Sequence, residues 1–208
     1  VVVNVNPLYT PRELEHQLKD SGAKALVILE NFAHTLQQVR AHVPVKTVVL
    51  ASMGEMLGFP KSTIVDFVVR KVKKLVPAYE LPGAVRFKDA VAQGRAMTLR
   101  PATVGPDDIA VLQYTGGTTG VSKGAVLLHR NVIANVLQCD AWYQPALKHL
   151  PAGEQLVQVC ALPLYHIFGF NTNMMLGMRV GACNVLIPNP RDLPGLLKEL
   201  SGIRFHTF

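Results

Sequence analysis

The twelve residues from Tyr114 to Ala125 read Tyr-Thr-Gly-Gly-Thr-Thr-Gly-Val-Ser-Lys-Gly-Ala, and apolar runs that read as strands flank them on both sides. Four glycines, three threonines, a serine and a lysine in one short stretch leave few options. Glycine frees the backbone to turn its N–H groups inward, hydroxyls add donors, and lysine adds a mobile positive charge. That combination suits the phosphates of a nucleotide. A Walker A loop would need Gly-Lys-Ser/Thr opening a helix. Here the order is Lys123-Gly124, and the apolar run Ala125 to Leu128 follows. A strand–loop–strand phosphate clamp is the better reading. An unliganded Gly/Thr hairpin is the plainer alternative, but it has no need of three threonines, a serine and a lysine among its glycines.

The rest of the chain predicts an α/β fold with doubly wound, mostly parallel sheets and flanking helices. Val1 to Val5 reads as a strand. Thr10, Pro11 and Glu13 then make a capping box that opens a helix running to about Asp20, ending near Gly22. Ala25 to Leu29 is a continuous apolar strand, Phe32 to about His42 a helix, and Thr47 to Leu50 a strand. This β-α-β-α-β opening defines a first segment, 1–50. Residues 51–106 read as an irregular insertion with one basic amphipathic helix near 61–76. In it Ile64, Phe67, Val68, Val72, Leu75 and Val76 recur at helical spacing, with Lys61, Arg70, Lys73 and Lys74 mostly outside that stripe. Residues 77–106 read as a connector. From 107 to 208 order returns: strands at 109–114, 125–128, 155–162 and 184–187, and helices near 131–143, 171–178 and 193–200, the last capped by Asp192. In the helix near 131–143, Ile133, Val136, Leu137 and Trp142 fall on or near one face.

At 208 residues and 49% hydrophobic, the chain can bury a sizeable core. Cys139, Cys160 and Cys183 are too far apart for a Cys-x-x-Cys metal site and read as reduced thiols. Much of the net charge of +7 sits between Lys61 and Lys74, and the chain carries no nucleic-acid signature, neither zinc spacing nor helix-turn-helix. No run reaches the ~20 apolar residues of a spanning helix, so a cytoplasmic protein is expected.

Two further segments narrow the reading. Residues 162–169 read Leu-Pro-Leu-Tyr-His-Ile-Phe-Gly, and residues 6–18 read Asn-Pro-Leu-Tyr-Thr-Pro-Arg-Glu-Leu-Glu-His-Gln-Leu. With the glycine-rich loop, these resemble three motifs of the adenylate-forming enzymes, in the same order. The loop resembles their phosphate signature Ser/Thr-Gly-x-Thr-Thr-Gly-x-Pro-Lys-Gly, except that Ser122 stands where most members have proline, which frees one φ angle. The overall likeness is to bacterial long-chain fatty acid–CoA ligases, end to end.

The resemblance implies ATP, Mg²⁺ and CoA as cofactor and co-substrates, with a long-chain fatty acid as the acid activated. It implies phosphate contacts from Tyr114, Thr115, Gly116, Gly117, Thr118, Thr119, Gly120, Ser122, Lys123 and Gly124, and an approach of Thr115 to Mg²⁺. Lys123 is implied to neutralise the β/γ phosphates, and His166 to orient the carboxylate beside the α-phosphate. Phe170, Met174, Met175, Leu176 and Met178 suit either an acyl wall or an ordinary core. The family is more than twice this length, so the chain reads as an internal piece, inactive alone. Oligomeric state is not legible.

Two other classes compete: a nucleotide-binding module that consumes nothing, and a membrane-association domain built on the basic helix. For that helix the simpler account is a surface helix packed on its own domain with solvated lysines. The sharper one is docking on an anionic membrane at the inner face.

Overall fold

The structure, a computed structural model, describes residues 1–115 and 121–208. It contains two compact units, neither a single stretch of chain: Val5–Thr103 with Tyr114–Gly124, and Val1–Asn4 with Val104–Gln113 and Ala125–Phe208. These units do not follow the consecutive segments 1–50, 51–106 and 107–208. The first strand, β1 (Val2–Asn4), belongs to the unit built mainly from later residues, and Tyr114–Gly124 belongs to the one built mainly from earlier ones.

The first unit starts with α1 (Pro11–Ser21). Its N-terminus is closed by the expected box: Glu13 N–H donates to Thr10 Oγ1, and Thr10 N–H donates to the Glu13 carboxylate at 2.8 Å. Gly22 ends the helix at φ 62°, a left-handed conformation that glycine adopts without a Cβ penalty. β2 (Ala25–Leu29) and β3 (Thr47–Ala51) pair in parallel, Ala25 opposite Thr47. Parallel strands need a crossover, and α2 (Ala33–Val39) supplies it. Leu14 and Leu18 of α1, Leu26 of β2, Leu36 and Val39 of α2, and Val48 and Leu50 of β3 form one core.

Lys61–Phe67 is α3, continued by a π-helical turn over Val68–Val72. Its inward side combines the buried Val69 with a polar set. Asp66 accepts from Ser52 Oγ at 2.7 Å and from Gly54 N–H at 2.8 Å, and Arg70 grips the buried Glu30 through two N–H donors at 2.8 and 2.9 Å. Ile64, Phe67, Val72 and Leu75 of the expected apolar stripe are exposed. The helix thus packs on its own unit through Asp66, Val69 and Arg70 with Lys61, Lys71, Lys73 and Lys74 exposed, and most of its apolar stripe faces outward. Residues 77–106 are also more regular than expected, holding the short β4 (Val85–Arg86), parallel to β3, and the helix α4 (Phe87–Arg95). No residue of α4 is buried, although Phe87, Ala90 and Val91 recur at helical spacing.

In the second unit β1 lies parallel to β5 (Ile109–Thr115), Val2 opposite Val111, and β6 (Lys123–Leu128) neighbours β5 on its other side. The opening reads as β-α-β-α-β, yet its first strand pairs with β5. Period and composition identify a strand but do not encode its partner. α5 (His129–Leu147) follows, its first turn held by Leu128 N–H donating to Asn131 Oδ1 at 2.9 Å. It buries Val132 and Val136 against Val111 and Phe170, while Ile133, Leu137 and Trp142 are exposed. The packed stripe is thus shifted one residue from the expected face.

β7 (Val157–Cys160) and β8 (Cys183–Leu186) pair in parallel. Between them run a π-helical segment, Gly169–Met175, and α6 (Leu176–Val180). α7 (Leu193–Ser201) is capped by Asp192, whose carboxylate accepts from Gly195 N–H at 3.1 Å. Among the described residues β1–β5, β2–β3, β3–β4 and β7–β8 pair in parallel, in keeping with the expected α/β class.

Candidate functional site

The predicted site is divided between the units. Residues 114–124 fall in the first, His166 in the second. Gly116, Gly117, Thr118, Thr119 and Gly120 lie outside the described residues.

Both stems of the glycine-rich loop are described. Thr115 ends β5 and is exposed, and Lys123 opens β6 and is exposed. Among the described residues Lys123 has no ion pair. Its ammonium therefore meets no carboxylate there that would compete with an incoming anion. Tyr114 is buried, and its phenol donates to Asp20 Oδ2 at 2.5 Å. Burial first, and then the hydrogen bond to that carboxylate, push its pKa far above the usual phenol value. A phosphate contact from Tyr114 would therefore come from its backbone. The ring lies on Gly124: a Cβ there would stand 2.9 Å from Tyr114 Cζ, so only glycine fits without displacing the ring. On the other stem, His16 Nε2 is 2.9 Å from the Ser122 carbonyl oxygen. A carbonyl only accepts, so this nitrogen carries the proton.

In the second unit, Gln113 of β5 ties the aromatic-His segment to the sheet. Its Nε2 donates to the Tyr165 carbonyl at 3.1 Å, and its Oε1 accepts from Asn4 Nδ2 at 3.2 Å. His166 is exposed, and its backbone is held by Pro163 on one side and Phe170 on the other. Phe168 N–H donates to its Nδ1 at 3.2 Å. The neutral imidazole therefore carries its proton on Nε2, a donor suited to a carboxylate oxygen. Gly169 follows because nothing larger fits: a Cβ would come within 2.7 Å of the Pro163 carbonyl oxygen. It opens the π-helical segment, a geometry frequent at functional sites.

Of the five candidate acyl-wall residues, Phe170 and Leu176 are buried, Met174 and Met175 pack against the Val111–Val132–Val136 cluster, and Met178 is exposed. A cavity of about 240 Å³ lies beside them, lined instead by Tyr143, Leu162, Phe168, Thr172 and Phe208 among others. Its floor is an amide network in which Gln158 Nε2 donates to Asn173 O at 2.9 Å and to Asn184 Oδ1 at 2.8 Å. Gly177 makes room for it, since a Cβ would stand 2.8 Å from Gln158 Nε2.

Among the described residues no three His, Cys, Asp or Glu side chains cluster as a metal site. Thr115 offers one hydroxyl, which fits a hard cation held mainly by phosphate oxygens and water. The hydroxyls and Lys123 fit a polyphosphate. His16, Asp20 and Gln113 were not singled out from the sequence. The first two read as solvated residues of a polar helix face, and their partners lie 106 and 94 residues away.

Comparison with known proteins gives three findings. The family model described as AMP-binding enzyme matches residues 1–208. A curated "Long-chain-fatty-acid--CoA ligase" from Escherichia coli O6:H1 is 54% identical over 205 residues, covering 99% of this chain and 36% of that protein. The chain thus spans about a third of the length of the curated relatives it matches. Among solved structures, the anthranilate CoA ligase AuaEII in complex with anthranoyl-AMP superposes with a TM-score of 0.70 at 22% identity, over 98% of this chain and 33% of that one. A long-chain-fatty-acid-CoA ligase from Archaeoglobus fulgidus gives 0.55 at 25% identity, over 96% and 33%.

Proposed function

The chain belongs to the AMP-binding enzyme family, and on that premise we propose that the protein it forms part of activates long-chain fatty acids in the cytoplasm. A carboxylate oxygen attacks the α-phosphorus of ATP, the bond to the bridging oxygen of the β-phosphate breaks, and pyrophosphate departs with the electron pair. The CoA thiolate then attacks the acyl carbon, and AMP leaves. Charge builds on phosphate oxygens in the first step, where fixed donors and a cation stabilise it most. Thr115, Gly116, Gly117, Thr118, Thr119, Gly120, Ser122 and Gly124 would supply donors, and Lys123 the charge at the β/γ end. His166, through Nε2–H, would orient the carboxylate. Mg²⁺, where bound, would share the phosphate charge, with the Thr115 hydroxyl as the oxygen this chain offers.

The observation that carries this reading is the end-to-end likeness to the curated fatty-acid ligases, which runs through the aromatic-His segment as well as the loop. The Lys123 ammonium, which has no ion pair among the described residues, and the Nε2–H of the exposed His166 support it. Carboxylate-dependent ATP–pyrophosphate exchange by the full-length protein tests it, with acids from acetate to oleate. Exchange peaking with long-chain acids is expected, and tight ATP binding without exchange for any acid would leave a non-catalytic nucleotide module. The isolated 208-residue chain is expected to release no AMP.

A second reading, contact with an anionic membrane surface, is supported by the segment 56–75, which contains the helix from Lys61 through Val72. Met56, Leu57, Phe59, Ile64, Phe67, Val72 and Leu75 are exposed there, beside exposed Lys61, Lys71, Lys73 and Lys74. The one acid between residues 56 and 79, Asp66, points its carboxylate inward to Ser52 and Gly54. Exposed apolar side chains among exposed lysines match the interface of an anionic bilayer. Sedimentation of the full-length protein with vesicles should rise steeply with the anionic lipid fraction. Binding indifferent to that fraction would end this reading.

A further inference from the structure

We propose that α1 is a positioning splint for the glycine-rich loop, with His16 and Asp20 as the residues that hold its two stems. The inference deepens the ATP-activating reading and rests on it. His16 and Asp20 are four positions apart, so they project from one face of α1 about one turn from each other. One reaches the outgoing stem, through Ser122 O at 2.9 Å, and the other the incoming stem, through Tyr114 Oη at 2.5 Å. The Tyr114 ring then closes the base by lying against Gly124, where no side chain could fit. The helix itself is fixed, with Leu14 and Leu18 buried in the core of the first unit and both ends capped.

These contacts set the spacing of the two points at which the loop begins and ends. A phosphate clamp works through donors aimed before the charge develops, and every degree of freedom removed beforehand is one not lost in the transition state. Neither His16 nor Asp20 touches the nucleotide in this account. They are positioning residues, and their effect should fall on ATP rather than on the acid.

The test is steady-state kinetics of the full-length protein carrying His16→Leu, His16→Gln, Tyr114→Phe and the double variant His16→Leu/Tyr114→Phe. His16→Leu should lower kcat/KM for ATP about tenfold, the scale of one lost partly buried hydrogen bond, and leave the fatty-acid KM at saturating ATP unchanged. Glutamine can present an N–H near the position of His16 Nε2, so His16→Gln should recover most of that loss. The double variant should lose less than the product of the single losses, because both contacts restrain one loop. Equal losses for ATP and acid, or no recovery with glutamine, would overturn the splint. Should the wild-type protein show no carboxylate-dependent exchange, the activating reading fails by itself. Amide hydrogen exchange then decides the splint: His16→Leu should speed exchange at Ser122–Gly124 and not in β2, and unchanged rates at both would overturn it.

Discussion

Two helices of the first unit carry similar sequence patterns and opposite placements. α1 has an apolar stripe with charges outside it and buries the stripe, Leu18 being 1% exposed. The helix from Lys61 through Val72 has the more conspicuous stripe and turns most of it outward, Phe67 being 60% exposed. Its inward side combines the buried Val69 with an ionic and hydrogen-bonded set, with Asp66 on Ser52 and Gly54, and Arg70 on Glu30. Glu30 holds the Arg70 guanidinium above its usual pKa, through the hydrogen bond first and its charge second. Amphipathic period establishes that a segment is helical. It does not establish that the apolar side is the one the domain covers.

The sharpest way to break this comparison is to truncate each stripe. Leu18→Ala in the full-length protein should cost about 2–5 kcal/mol of stability, the range for a buried leucine that leaves a cavity. Phe67→Ser should change stability by no more than about 0.5 kcal/mol, as for an exposed position, and should weaken vesicle binding instead. Thermal unfolding together with sedimentation reads both. A large stability loss from Phe67→Ser would mean that another part of the full-length protein covers the stripe.

The same contrast explains what could be read in advance. Local chemistry was legible: the Thr10–Glu13 box, the Asp192 cap, the strand at Ala25–Leu29 and the stop at Gly22 all rest on neighbouring residues. The loop stems were legible too, because the apolar runs at 109–114 and 125–128 read as strands. Long-range choices were not. Val2–Asn4 pairs with Val111–Gln113, and no feature of either segment names the other. His16 and Asp20 look like surface residues until Tyr114 and Ser122 fold back onto α1. Gln113 shows the same limit, since a polar residue in an apolar strand acquires its meaning only from Asn4 and Tyr165.

The smallest expected effect sharpens the comparison from the side of α1, whose placement begins with its cap. Thr10 Oγ1–H donates to the Glu13 carboxylate at 2.7 Å, and the Thr10 N–H donates to the same oxygen. The side-chain bond first, and the backbone bond second, hold the Glu13 carboxyl below its ordinary value of 4.5. A folded-state value below the unfolded one favours the folded state above that ordinary value, and the advantage is lost as pH falls through the lower, folded one. Thr10→Ala should therefore cost about 1 kcal/mol near neutral pH, the usual loss for an N-cap, and its deficit should shrink as the solution is acidified past pH ~4. Glu13 is exposed, so solvent screening keeps its own share to a few tenths of that cost. Paired unfolding curves for wild type and Thr10→Ala at neutral and acid pH measure the difference. A deficit that stays constant through acidification would assign the whole effect to the threonine oxygen accepting from Glu13 N–H, and none to the carboxylate.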